Sequence, residues 1–382
     1  MEPESTRDVE VIVWSGDGDA VARLPSLASL AVAMDDERSL PSVVREIRAR
    51  ASLDVAVLAL TDAQLHVEVL EDAPGLPWRR PDVEIPAHAT WYEPGWYRGM
   101  CSTVERALRA QGIACTGRFE QRKHWSISAI VAVATTAGEL WFKQVPDFMA
   151  HEGRVLEWLG ARWPGAVPEV VAVGPDWSIT RAFAAPTEEA TTDSPFALLA
   201  ELQQLAAASI DDLFALGCPD RRGDVLLGDL ESLAGRDDVL EPEQRDALLG
   251  ALPALAERCA RLERGPVPPS LVHGDLHGGN WTRHPDGRWL IFDWTDACVA
   301  HPFLDLGVLP TKDERVRGAR LRAYLDAWAA DDDRLVADAL VVANAHHAIS
   351  YQRIVDGVRG DDGPSWHPAV KAFLDRMLQA LG

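Results

Sequence analysis

Residues 271–296 gather four aspartates, one asparagine and three histidines on a chain that reads as strand, polar loop and hairpin. Ser270-Leu271-Val272 forms a short apolar run leading into His273-Gly274-Asp275-Leu276-His277-Gly278-Gly279-Asn280. Pro285-Asp286-Gly287 then supplies turn chemistry between two strand-like runs, Asn280 to His284 and Arg288 to Phe292. A hairpin turning there leaves Asn280 and Asp293 roughly opposite one another at its open end, with Asp275 in the loop that feeds it. Hard oxygen donors beside a further carboxylate suit a divalent cation of the magnesium class next to a base.

The spacing is that of phosphoryl transfer. In kinase-type sites an Asp accepts the proton of the attacking hydroxyl, an Asn five positions later binds metal, and a further Asp beyond a hairpin binds metal as well. Asp275 and Asn280 keep the five-residue step, and Asp293 follows in the third place. Asp or Asn beside Gly is an ordinary turn former when met alone. Three such residues at this spacing, two of them joined by a hairpin, point to a site instead. A competing reading takes His273, Asp275 and His277 as a His-x-Asp-x-His zinc cluster of the kind some hydrolases use. It leaves Asn280, Asp293 and the upstream Lys143 without a role.

On these residues the sequence resembles the aminoglycoside phosphotransferase and choline kinase-like family, whose catalytic loop reads His-Gly-Asp-Leu-His-x-x-Asn. His301-Pro302-Phe303-Leu304-Asp305-Leu306 continues the likeness, matching the family's Pro-x-x-Asp-Leu segment. The resemblance covers roughly residues 97–382 and implies an α+β, bilobal protein kinase-like fold, with a small β-rich lobe and a mostly helical large lobe. It implies ATP and Mg2+ as cofactors, Asp275 as the base, and Asn280 and Asp293 as metal ligands. His277 falls where related kinases place a lysine, either touching the transferring phosphate or hydrogen-bonding the loop. His273 and Asp305 are assigned to bracing that loop.

Lys143 is one of only four lysines and lies in an apolar strand, sharing a face with Trp141 and Val145. An ammonium there is costly unless paired. Pro146-Asp147 opens a helix whose inward stripe carries Phe148, Glu152, Val155, Leu156 and Leu159, which makes Glu152 its expected partner. Ser128–Ala134 and Glu139–Val145 read as a hairpin over which a nucleotide lies. Trp125-Ser126-Ile127-Ser128 stands where a glycine-rich loop would, so Ser128 is a candidate phosphate contact. By resemblance, Arg181 to Phe183 form the hinge that receives adenine.

Residues 1–95 read as an accessory α+β unit with no motif that carries chemistry. Prolines 74, 77, 81, 86 and 94 crowd its end. Residues 96–190 then form the expected nucleotide lobe and 191–382 the large lobe. Helices are expected at Gly95–Gln111, Phe196–Ala208, Asp211–Leu216, Pro242–Leu262, Asp313–Trp328, Asp333–Val355 and Trp366–Leu381. The acceptor is expected near Asp296, Asp326, His346, His347 and Tyr351. The family's aminoglycoside enzymes often end in an aromatic residue near the substrate, whereas this chain ends Leu381-Gly382, which leaves sugars and amino alcohols open beside aminoglycosides.

Net charge is −22, which argues against a nucleic-acid partner or an anionic membrane surface. Five cysteines without a C-x-x-C pair read as reduced thiols, and the polar, acidic start lacks the pattern of an export signal, so a cytoplasmic location is expected. From another functional class, a non-catalytic nucleotide-binding regulator that kept the fold is the alternative.

Overall fold

The computed structural model describes residues 6–33, 39–61, 63–85, 89–186, 194–308, 313–330, 332–358 and 362–382. Of the prolines at the expected boundary, Pro86 lies outside the described residues. The chain divides into two compact units, one of residues 1–146, 177–182 and 358–362, the other of 147–176, 183–357 and 363–382.

In the first unit, Thr6–Trp14 is the spine of a sheet. It pairs in parallel with Gln64–Val69 and antiparallel with Val21–Ala22 and Leu30–Ala33, while Val55–Leu60 pairs antiparallel with Gln64–Val69. Its second half, Val11 to Trp14, is apolar on both faces and buried on both. Val9, Val11 and Val13 enter one core cluster, and Ile12 and Trp14 another. Helix Trp96–Ala110 buries Tyr97, Met100, Val104 and Leu108, a single stripe at helical spacing. A second antiparallel sheet follows in the order Cys115–Trp125, Ser128–Thr135, Gly138–Gln144, Trp177–Arg181. The Gln121 amide ties the two sheets together by accepting from Val57 N–H (2.7 Å) and donating to Val57 C=O (2.9 Å). Residues from the N-terminal segment and the small-lobe strands therefore share this unit.

The second unit is mostly helical: Glu152–Arg162, Phe196–Ala207, Ile210–Ala215, Gly223–Ala234, Pro242–Arg264, Glu314–Ala327, Asp333–Gly357 and His367–Leu381. The sequence reading anticipated all but Gly223–Ala234. One continuous apolar core runs from Val155 to Met377. Two small antiparallel pairs interrupt the helices, Ser270–Val272 with Cys298–Ala300 and Trp281–Arg283 with Trp289–Ile291. The second pair is the anticipated hairpin. No described helix is long and apolar enough to cross a membrane.

Candidate active site

The loop His273–Asn280 is held by its backbone. The Asp305 carboxylate, 1% exposed, accepts the N–H of His273 (2.9 Å) and of Gly274 (2.8 Å), and the Gln203 amide N–H (2.8 Å). Tyr324 O–H in turn donates to Gln203 Oε1, so the loop is tied to the helical core. Burial pushes the Asp305 carboxyl up to about 7, against the three donors that favour its charged form. Gly274 has φ +86°, and a Cβ there would lie 2.6 Å from the Asp296 carbonyl oxygen. Only glycine meets both conditions without strain.

His273 belongs to the same brace. Its Nε2–H donates to Phe292 C=O (3.0 Å), its Nδ1 accepts the N–H of Asp275 (3.3 Å), and its ring packs on Trp294. Burial holds it neutral, lowering it to about 4. With both nitrogens engaged by backbone, His273 has no lone pair to offer a zinc ion. No group of three or more His, Cys, Asp or Glu side chains among the described residues is arranged to hold a metal.

The candidate site side chains stand on this frame. The Asn280 Nδ2–H donates to the Asp275 carbonyl (2.8 Å) and to its Oδ2 (3.3 Å), which leaves Asn280 Oδ1 as the atom that can face a cation. Gly279 N–H donates to His277 Nδ1 (2.9 Å), so in the neutral ring the proton sits on Nε2, 3.4 Å from Asp275 Oδ2. A Cβ on Gly279 would collide with that folded-back ring. Across the hairpin mouth, Phe292 N–H donates to Asn280 C=O (3.0 Å), which places Asp293 beside Asn280. Asp293 is held at φ +64°, a strained conformation for a residue with a side chain, and its Oδ1 accepts from Thr295 O–H (2.8 Å). Asn280 Oδ1 and the Asp293 carboxylate are the hard oxygens that magnesium takes, on adjoining backbone, and the pair fits such an ion.

The nucleotide candidates fall in both units. In the first, Lys143 is half-buried in strand Gly138–Gln144, between Ile130 and Ser178 in register. Ser128 is buried, and its hydroxyl accepts from Trp125 Nε1–H (2.6 Å). Arg181 is exposed and donates to Ala137 C=O (3.2 Å). In the second, Glu152 is buried at the start of helix Glu152–Arg162, and Phe183 packs against Phe292, next to Asp293, with ring centres 4.7 Å apart.

Of the acceptor candidates, four gather around the loop. Asp296 lies against Gly274. Tyr351 is stacked between Trp366 and Phe373, and burial, then the charges of Asp275 and Asp296, raise its hydroxyl above the usual range. His347 lies within reach of the Asp275 charge, although burial dominates and lowers it to about 4. His346 is buried beside it. Asp326 is not brought to this group: it is exposed on helix Glu314–Ala327, whose neighbour is Phe196–Ala207. Two arginines, Arg221 and Arg353, line the same region and were not anticipated.

Fold and loop together define a small-molecule kinase with protein kinase-like architecture. Residues 124–337, more than half of the chain, match the profile of the phosphotransferase enzyme family, and the chain belongs to that family, the one that includes the aminoglycoside phosphotransferases. Among solved structures, a macrolide 2'-phosphotransferase of Brachybacterium faecium is similar over 74% of this chain and 97% of its own, at 17% identity and a TM-score of 0.50. A choline kinase of Streptococcus pneumoniae is similar over 73% of this chain and 99% of its own, at 14% identity and a TM-score of 0.49. No curated protein sequence matches the chain.

Proposed function

We propose that the protein transfers the γ-phosphoryl group of ATP to a hydroxyl of a small molecule, of the class spanning aminoglycosides, amino sugars, sugars and amino alcohols. The observation that carries this reading is the Asp275–Asn280–Asp293 arrangement, in which one amide is fixed to the carboxylate that serves as base and the hairpin sets the second carboxylate beside it.

Asp275 orients the acceptor hydroxyl and takes its proton as the oxygen bonds to the γ-phosphorus. The bond from that phosphorus to the β–γ bridging oxygen breaks, and ADP departs. His277 Nε2–H points at Asp275 Oδ2 and keeps that oxygen oriented while the other faces the acceptor. Magnesium ions held by Asn280 Oδ1 and Asp293 would neutralise the phosphate charge. Lys143 and Glu152 are assigned to the ion pair that positions the ATP phosphates, with Ser128 and the Arg181–Phe183 segment as further nucleotide contacts. This reading assigns residues 96–190 to the nucleotide lobe and 191–382 to the large lobe with the catalytic loop and the acceptor site.

The test is ADP release across a panel of hydroxylated acceptors. The expected outcome is acceptor-dependent turnover that falls about 10²–10⁴-fold in Asp275→Ala, the range for loss of a general base. An acceptor-dependent rate unchanged in Asp275→Ala would remove the base from the mechanism.

A further inference from the structure

Beside the loop lies a small polar cavity of about 280 Å³ including its open mouth, walled in part by Arg221, Thr295, Asp296, His346, Ser350 and Arg353. It adjoins the catalytic loop through three links of chain. Asp296 touches Gly274, Thr295 bonds Asp293, and Ser350 precedes Tyr351, which feels the Asp275 charge.

The wall is unfinished. His346 is 1% exposed, yet neither ring nitrogen has a hydrogen-bond partner among the described residues. Leaving one buried polar atom unpaired costs about 1–3 kcal/mol, and this ring leaves two. Two guanidinium groups share the wall with it. Arg221 is 5% exposed and paired with Asp229, which stands outside the wall, while Arg353 donates to Phe148 C=O (3.3 Å). Burial, and then the Arg221 charge, hold Arg353 below the usual arginine range. Two like charges are thus brought together out of water in a chain whose net charge is −22. Asp296 is the one carboxylate on the wall and Asp229 holds Arg221 from outside it, so the two guanidiniums are matched in number by carboxylates while the imidazole N–H has no acceptor among the described residues. A ligand carboxylate offers two acceptor oxygens, one for the imidazole N–H and one for guanidinium N–H donors on the same wall.

We infer that the phosphate acceptor carries a carboxylate, seated in this cavity against Arg353, Arg221 and the His346 ring while its hydroxyl faces Asp275. The inference rests on the phosphotransferase reading above and narrows its acceptor to hydroxy acids, hydroxy amino acids and sugar acids.

The experiment uses the full chain and matched pairs, each a hydroxylated carboxylic acid and its neutral amide. ADP release and calorimetric binding are followed for both members of each pair. Acids should exceed their amides by about 10- to 100-fold in kcat/KM, the value of one or two charged hydrogen bonds. Arg353→Gln should erase that ratio chiefly through KM for the acid, and Arg353→Lys should restore part of it. Circular dichroism of both variants checks that they fold. Amides equal to or better than acids overturn the inference, as does an acid preference that survives in folded Arg353→Gln, or a panel in which no acid binds. Failure of the underlying reading looks different: with ATP and magnesium present, the wild-type chain would then release no ADP with any acceptor, acid or amide.

Discussion

The loop His273–Asn280 and the cavity next to it are built from similar groups to opposite effect. In the loop, the backbone N–H groups of His273, Gly274 and Asp275, both His273 nitrogens and the Asn280 amide have partners within the protein. In the cavity, a buried imidazole has none among the described residues, and two guanidiniums crowd one another. A complete network fixes reactive atoms before any substrate arrives, whereas an incomplete one needs a ligand to finish it.

The largest test of that contrast uses acid. His151, His273, His301 and His347 are each lowered to about 4 by burial, and His346 further still. An unfolded chain binds protons at these rings from about pH 6.5 downward, while the folded one does not. Stability is therefore present above pH 6.5 and lost as pH falls toward 4, by about 1.5 kcal/mol per ring between about pH 6.5 and 5. Asp305, raised to about 7, acts in the opposite sense as a single group, gaining stability as pH falls from 7 toward 3.8. Urea midpoints should drop steeply between about pH 7 and 5, and a flat profile would contradict the burial of these rings.

Gly274→Ala comes next. A Cβ at φ +86° facing the Asp296 backbone should cost about 2–4 kcal/mol, combining left-handed strain with overpacking, and should lower kcat because the base moves with the loop. Asp305→Asn is smaller. Both carboxylate oxygens accept, so an amide NH2 must face at least one donor, at about 1–3 kcal/mol by denaturant titration. Smallest in stability, and opposite in sense, is His346→Leu. Removing a group without partners should leave the unliganded protein within about 1 kcal/mol of wild type and reduce its loss of stability in acid. If His346→Leu cost as much as the Asp305 change, the cavity would be as self-sufficient as the loop.

What the sequence made legible follows the same division. The loop lies in eight consecutive residues, and the hairpin is announced by Pro285-Asp286-Gly287, so local spacing was enough. The brace by Asp305 and the burial of Glu152 were also readable, from a motif and a helical stripe. The cavity draws on positions 148 to 353, and nothing local joins Arg221 to Arg353. One signal was present: His346, Ser350 and Arg353 fall at i, i+4 and i+7 on one helix face. Helix Gly223–Ala234 hid behind Gly223 and Gly228 despite Leu226, Leu230 and Leu233 at helical spacing. Strand Cys115–Trp125 hid because it is largely polar and half-exposed, so its alternation carries little hydrophobic contrast.

The chain of contacts from Tyr324 through Gln203 to Asp305 has a consequence for timing. The segment bearing Asp275 is locked to the interior when the helices assemble, so its freedom is surrendered at folding. A ligand arriving later meets a surface that is already finished.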